Sequence, residues 1–529
     1  MLATPILLPA GVGCRCEFGW PEAAARVYSA YAQPLRSVPV SGSVPISEPQ
    51  RQAAAELLAA LSPLVTELGV LFARHGHELA LVGGPVRDVF LGRPPGDLDL
   101  TTDALPERVM QLAKGWADSV WPVGLAFGTV GLRKDGVMFE ITTYRTEQYS
   151  PESRKPTTVR FGASLTEDLV RRDFTVNAMA ARLPGYELLD PHGGLADVRR
   201  KVLRTPGRPD DSLGDDPLRM LRAARFVAQL GFDPDAALTA AMARMAPALA
   251  KVSAERITAE LIKLLVSPLP GGPSAAIALL VETGVAEFFL PEVPRLRLET
   301  DEHFRHKDVY QHSLMVLDRA IGLEQQYGLR QDLVLRLAAL LHDIGKPRTR
   351  SRLPDGRVAF HHHEIVGAKL TRSRLGKLRF PREIIADVSK LVELHLRFHG
   401  YGVGEWTDSA VRRYVRDAGP LLTRLHALTR ADCTTRNRAK AQQLDRAYDG
   451  LERRIAELAE QEELASIRPD LNGNEIMRLL GVPQGPVVGK AYSYLLELRL
   501  EHGPLGPERA ARELLRWARP DEAQPPPGP

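Results

Sequence analysis

Three cysteines in 529 residues, Cys14, Cys16 and Cys433, are too few to staple a chain of this length into a disulfide framework. The Cys14/Cys16 pair has no second pair to complete a zinc site. A reducing compartment is the expectation. No charge-free apolar run reaches the roughly 20 residues of a membrane helix. The N-terminal MLATPILLPAGVGCRC has no basic residue ahead of its apolar part, as a secretory leader would, so the expected location is the cytoplasm, with no membrane partner. A dominant charge is missing too: 69 Lys and Arg stand against 65 Asp and Glu, a formal net charge of +4, too slight to argue for an anionic partner by itself. What remains is 44% hydrophobic and 25% charged residues, an ordinary globular balance over enough length for several domains.

The most informative stretch is LVGGPVRDVFLGRPPGDLDL, residues 81–100. Leu79 to Val82 reads as a short buried strand, Gly83-Gly84 as a tight turn, and residues 85–91 as a helix that opens on a proline. After the break Arg93-Pro94-Pro95-Gly96, a second strand carries Asp97 and Asp99. Residues two apart on a strand share a face, so these carboxylates repel unless a divalent cation neutralises them. A Gly-Gly turn feeding a helix offers N–H groups and a positive dipole end to a phosphate. Cradle and carboxylates together point to nucleotide chemistry.

Around this stretch, residues 1–48 mix Pro, Gly, Ser and Ala without a period and are expected to be poorly ordered. From Glu48, the spacing of Ala54, Leu57, Leu58, Leu61, Leu64, Val65 and Leu68 predicts one amphipathic helix. A helix follows over 105–116, then strands over 128–132 and 137–144 joined at Asp135-Gly136, a hairpin signal. Glu140 in the second strand is either a third acid beside Asp97 and Asp99 or a residue of the solvent face. The polar segment 149–163 is a candidate mobile loop. Helical spacing is read over 165–181, where Arg171, Arg172, Asp173 and Asn177 either meet phosphate or form a solvated face. Pro217 fits the first position of a helix behind an aspartate cap, with Arg219, Arg222 and Arg225 on one stripe whose mutual repulsion an anionic ligand would relieve.

In order and spacing, GGPVRD (83–88), DLDL (97–100), FGT (127–129), FEITTYR (139–145), RRDFTVNAMA (171–180), DPHGGLAD (190–197) and DDPLRMLRAARF (215–226) resemble the bacterial class II tRNA nucleotidyltransferase and poly(A) polymerase family over about residues 50–300. The resemblance implies that Asp97 and Asp99 hold two magnesium ions with Glu140 as the third carboxylate. It implies that Gly83, Gly84 and Arg87 hold the triphosphate, and Arg172, Asp173 and Asn177 the ribose and phosphates. Asp216 and Arg219 would offer the base a hydrogen-bonding edge that selects C or A without a template, supported by Arg222 and Arg225. The family's base-reading motif begins with Glu, where this chain has Asp215.

Further on, His312, His342-Asp343 and Asp432 follow the order of the metal-dependent HD phosphohydrolase domain over about 306–450, with Gly345-Lys346 after the His-Asp pair. Such a mixed N/O set suits a divalent transition metal. His363 and His395 are candidate ligands of a second metal, while His361 and His362 fit a surface loop. Lys390, Arg397, Arg412, Arg413, Arg424, Arg430, Arg436 and Arg438 either line a tRNA-binding face or are simply solvated. Helical spacing returns over 472–517, before a Pro-rich end.

The fold class expected is an α+β nucleotidyltransferase palm, a small mixed sheet with helices, followed by a mostly α-helical C-terminal region that includes an HD domain. The division is 1–48 extension, 49–200 palm, 201–300 helical neck, 301–460 HD domain and 461–529 helical tail. The function implied is addition of C, C and A to the tRNA 3′ end from CTP and ATP with release of pyrophosphate, alongside a possible HD phosphohydrolase activity. Alternatives are a poly(A) polymerase or a partial CC- or A-adding enzyme of the same family, or a phosphohydrolase whose N-terminal half only grips tRNA. The polymerase branch carries an arginine-rich segment that 120–129 lacks, which favours CCA addition.

Overall fold

The computed structural model describes residues 48–60, 62–93, 96–124, 128–148, 158–162, 164–298, 308–354, 358–398, 407–434, 437–462 and 467–518. Residues 1–47, most of the loop read over 149–163, Phe127, Arg436 and the Pro-rich end lie outside the described residues. The chain divides into two compact units, one formed by residues up to Asp216 with Asp233–Ala241, the other by Pro217–Phe232 with the rest.

In the first unit the helix expected from Glu48 is two helices, Glu48–Ala59 and Pro63–Arg74. Pro63 cannot continue a helix but opens one well, and the Ser62 side chain accepts the Leu64 N–H at 3.2 Å. The unit's first nine strands are β1 (Leu79–Val82), β2 (Leu98–Thr102), β3 (Ser119–Gly124), β4 (Thr129–Lys134), β5 (Val137–Thr143), β6 (Arg145–Gln148), β7 (Thr158–Phe161), β8 (Ala180–Arg182) and β9 (Glu187–Leu189). Seven of them form one mixed sheet in the order β3-β4-β5-β2-β1-β8-β9. β1 is fully buried between antiparallel β2 and β8, which is why LALV shows no alternation. β4 and β5 form the expected hairpin through Asp135-Gly136. β2 pairs parallel with β5, so the hairpin is brought back beside the aspartate strand.

The helix read over 165–181 is a correction. It stops at Val170, and a single 3-10 turn, Thr175–Asn177, leads into β8. The Asp173 side chain takes the Phe174 N–H at 2.8 Å and the Asn177 amide at 3.0 Å, a local alternative to helical bonding. The apolar run Ala178 to Ala181 then fills the sheet edge of β1, where tertiary pairing outweighs helix propensity.

In the second unit, the helix behind Asp216 begins at Arg219 with Leu218 at its cap, not at Pro217 behind an aspartate. It packs on Ala254–Leu265 and Gly272–Glu282. The HD region is built from Val309–Leu323, Leu333–Leu341, His363–Lys377, Arg382–Leu394 and Leu422–Asp432. Leu333–Leu341 is buried all round, and Asp332 caps it by accepting the Leu335 N–H at 2.8 Å. Inside it, buried Arg336 pairs with Glu324 at 2.6 and 2.7 Å and donates to the Leu265 and Ser267 carbonyls, tying the neck helices to the HD core. The tail helices Gly473–Leu480, Pro486–His502 and Pro507–Ala518 share a small core of their own around Ile476, Leu495 and Leu514.

Candidate functional site

The palm places its acids by register. Asp99 on β2 and Glu140 on β5 are direct partners in the parallel pairing, so both side chains leave the same face of the sheet. Asp97 lies exposed one residue ahead of β2, and Glu140 is exposed as well. The register sets Glu140 beside Asp99, and its exposure also fits the solvent-face reading. Gly83 precedes the helix Gly84–Phe90 with a φ of 74°, a conformation that favours glycine. A side chain there would lie 3.4 Å from Arg172 Nη1 and 4.0 Å from both Asp99 Oδ2 and the Asn177 carbonyl, so these groups converge on the Gly-Gly turn. The Gly83 N–H is not wholly free, because it reaches the Met179 carbonyl at 3.4 Å.

Three residues expected on the nucleotide are largely buried in a network of their own. Arg87 donates to Asn177 Oδ1 at 2.6 Å and to Asp88 at 2.9 Å, and Asn177 in turn donates to Asp173. These contacts hold the turn that carries Gly83. Sequence reasoning missed Asp168, fully buried and paired with Arg171 at 2.7 Å and Arg172 at 3.2 Å. Burial pushes its carboxyl up, but the two guanidiniums more than offset this and hold it below the usual carboxylate range. The available signal was its spacing of three and four residues ahead of the arginines.

Two members of the arginine stripe have a carboxylate partner within the protein: buried Glu260 takes Arg225 at 2.6 Å and Arg222 at 3.7 Å. Arg219 precedes both on the same helix. Asp216 ends the first unit's first segment, and Arg219 begins the helix of the second unit's first segment, which starts at Pro217.

The HD region gathers a second centre. His312, His342 and Asp432 form one cluster, and Asp343, His363 and His395 another, each with its ligand atoms within 4.8 Å of one another. His312 Nε2 stands 2.9 Å from Asp432 Oδ1 and 3.2 Å from His342 Nε2. Asp343 lies 3.2 Å from His342 Nε2 and 2.8 Å from Lys346 Nζ. Burial pushes His342 down, but the Asp343 and Asp432 carboxylates outweigh it and raise the ring to about 9. Burial raises Asp432 in turn, yet the His342 and His312 rings keep it below the usual carboxylate range. Burial, with His342 alongside, takes His395 down to about 3. His361 and His362 are exposed, as expected of a loop.

Six of the dispersed cations have acidic partners among the described residues. Lys390 pairs with Glu393, Arg397 with Asp417, Arg412 with Glu462, Arg413 with Glu501, Arg424 with Asp332 and Arg430 with Asp449 and Glu452.

A mixed sheet whose acids stand beside a Gly-Gly turn, followed by helices with a His/Asp centre, defines a nucleotidyltransferase palm joined to an HD domain. Family models agree: "Poly A polymerase head domain" matches residues 79–204, "Probable RNA and SrmB-binding site of polymerase A" residues 231–296, and "HD domain" residues 309–437. An A-adding tRNA nucleotidyltransferase of Deinococcus radiodurans is 38% identical over 449 residues, covering 83% of this chain and 95% of the relative. The chain belongs to the tRNA nucleotidyltransferase family. A CCA-adding enzyme of Anoxybacillus flavithermus is 44% identical over 220 residues, 42% of this chain, and the chain spans about half of that relative, 53%. The crystal structure of the Bacillus stearothermophilus CCA-adding enzyme in complex with CTP superposes with a TM-score of 0.63 at 26% identity, covering 87% of this chain and 99% of that one. Both the palm and the HD domain imply a divalent metal. Among the described residues no helix is long and apolar enough to cross a membrane.

Proposed function

We propose that the chain adds C, C and A to the 3′ end of tRNA, using CTP and ATP and releasing pyrophosphate. The observation that carries this reading is the pairing of Asp99 with Glu140 beside the turn where Gly83 and Arg172 meet. Asp97, Asp99 and Glu140 would hold magnesium, the hard cation that carboxylates suit. The bound ions would supply a more acidic 3′-hydroxyl and charge neutralisation on the leaving group. The tRNA 3′-oxygen attacks the α-phosphorus of the nucleotide, the bond to the β-phosphate oxygen breaks, and pyrophosphate leaves. Arg172 at the Gly83-Gly84 turn holds the triphosphate in line, and Arg87, Asp173 and Asn177 keep that turn in place. Asp216 and Arg219 read the base edge, supported by Arg222 and Arg225, which pair with Glu260. The palm, neck, HD domain and tail take the division set out above, and the cytoplasm is the place of work.

In the HD domain His312, His342, Asp343 and Asp432 would hold a divalent transition metal, and the site would hydrolyse a phosphoester. For the palm, a second reading is addition of the terminal A alone, favoured by the A-adding name of the relative that matches nearly end to end.

The test is incubation with tRNA ending at the discriminator base or at CC, with labelled CTP and ATP. Two C and one A on the first substrate support full addition. Labelling only of CC-ended tRNA by ATP selects the A-adding reading, and a long A ladder overturns both.

A further inference from the structure

We propose that a basic groove between the neck and the outer face of the helix His363–Lys377 binds a soluble polyphosphate, an anion carrying several adjacent phosphate groups. The groove is separate from the palm and from the His/Asp centre, and its occupant is neither the reacting nucleotide nor the tRNA.

The helix has two working faces. Its buried side, with Gly367, Ala368, Thr371 and Leu375, belongs to the HD core. Steps of three and four residues gather Val366, Lys369, Leu370, Ser373, Arg374 and Lys377 on another face, and all six line the groove. From Val366 to Lys377 that face runs about 16 Å, room for a chain of phosphates and not just one. The neck adds Pro291, Glu292 and Arg295, and Arg348 completes the basic lining. Both sides belong to the second unit and are tied to each other. Arg374 donates to the two Glu292 oxygens at 2.8 and 3.0 Å, and the Thr258 hydroxyl of the neck donates to the Leu378 carbonyl at the end of the helix. The cavity so formed measures about 470 Å³, within the roughly 300–1,000 Å³ of small-ligand sites.

Charge selects the ligand. The chain as a whole is nearly balanced, with 69 Lys and Arg against 65 Asp and Glu. In this cavity Arg295, Arg348, Lys369, Arg374 and Lys377 face a single carboxylate, Glu292. That carboxylate is already bound to Arg374, whose Nε and Nη2 it engages while Nη1 remains for a further acceptor. Arg295, Arg348, Lys369 and Lys377 have no acidic partner among the described residues, unlike Lys390, Arg412 and Arg424. Cations gathered in a concave surface repel one another, and the cleft focuses their field. An anion of high charge density is drawn in and removes the repulsion.

Shape separates a small anion from RNA. The Arg374 side chain keeps 16% of its surface, whereas Lys369 and Lys377 are exposed. The convex backbone of folded RNA meets cations on a rim, while a slim chain of phosphates reaches the rim and the deeper guanidinium together. Single-stranded RNA is gripped by stacking its bases on aromatic rings, and no aromatic side chain lines this cavity among the described residues. Pro291, Val366 and Leu370 offer an apolar strip on which a nucleoside could rest. The chemistry recognised is therefore a chain of phosphates, carried by a nucleoside or standing alone.

The full-length Arg172→Ala form, which lacks the palm's triphosphate contact, is titrated in chelator with inorganic tripolyphosphate by isothermal titration calorimetry. Parallel titrations use ATP and inorganic phosphate. A single saturable event with tripolyphosphate is expected, with inorganic phosphate much weaker. Joint replacement Lys369→Gln and Lys377→Gln should weaken it roughly tenfold or more, and Arg295→Gln on the neck side should weaken it too. These side chains are exposed, so thermal unfolding without ligand should be unchanged. ATP binding tighter than tripolyphosphate supports the proposal with a nucleoside polyphosphate as the ligand, and the reverse order supports it with an inorganic chain. With Arg172 intact, the joint Lys369→Gln and Lys377→Gln form should add nucleotides with unchanged kcat and unchanged KM for tRNA. A raised KM for tRNA without tripolyphosphate binding makes the groove part of the RNA face and overturns the proposal. No binding, or binding that the substitutions leave as it was, overturns it as well.

Discussion

Asp99 and Glu140 stand side by side across the parallel pairing of β2 with β5. Neighbouring strands run about 4.8 Å apart, so two carboxylates that share a face at this register repel in the absence of a cation and clasp one when it is present. The arrangement makes both acids necessary. Asp99→Asn is expected to lower nucleotide incorporation roughly 10²–10³-fold, the usual loss when a charge-stabilising group is removed from a reacting centre. Glu140→Gln should act in the same direction, and single-turnover labelling of tRNA reads both.

Asp168 links the palm's stability to pH. Its carboxyl titrates below the usual range because Arg171 and Arg172 outweigh the effect of burial. A group with a lowered folded value contributes stability that is fully present above its unfolded value, near 3.9, and is lost as pH falls through the folded one. The stability gap between the natural protein and Asp168→Asn should therefore be constant from pH 7 to about 5 and shrink below about 4. Urea unfolding followed across that range tests this.

Gly345→Ala separates the two centres. The added methyl would meet the His363 carbonyl at 2.1 Å, a backbone atom that cannot swing aside, so the loop holding Asp343 must move away from the helix. Loss of HD-bound Mn²⁺ with retained nucleotide incorporation is the expected result. A variant with unchanged metal content would show that the two elements slide freely.

Arg336 is buried against Glu324 and two carbonyls of the neck. Arg336→Leu leaves Glu324 as an uncompensated buried charge and should cost about 3–5 kcal/mol. Calorimetry should show the lower-stability transition of the second unit, with the first unit's transition unmoved.

Much of the candidate site is legible in the chain because its parts are local. The strand, Gly-Gly turn and helix at 79–90, the Asp-Gly hairpin and the capped helix ending at His342 each follow from neighbours within a few residues. The run 165–181 reads as one helix because its apolar spacing is also what a 3-10 turn and a buried strand require, and only pairing with β1 decides between them. The pairing of Arg222 and Arg225 with Glu260 was equally invisible, since 35 residues separate Glu260 from Arg225.

By itself the sequence determined which side chains can do chemistry here: the aspartates of DLDL, the Gly-Gly turn, the arginines and the ordered histidines, all carried by short-range pattern. Tertiary structure alone decided which of them meet. It set Glu140 beside Asp99 through strand register, turned Arg222 and Arg225 toward a carboxylate of their own, and folded His363 and His395 against Asp343. The physical reason is the same in each case: a charge is placed by the element that packs against it, and that element lies too far along the chain for any local period to announce it.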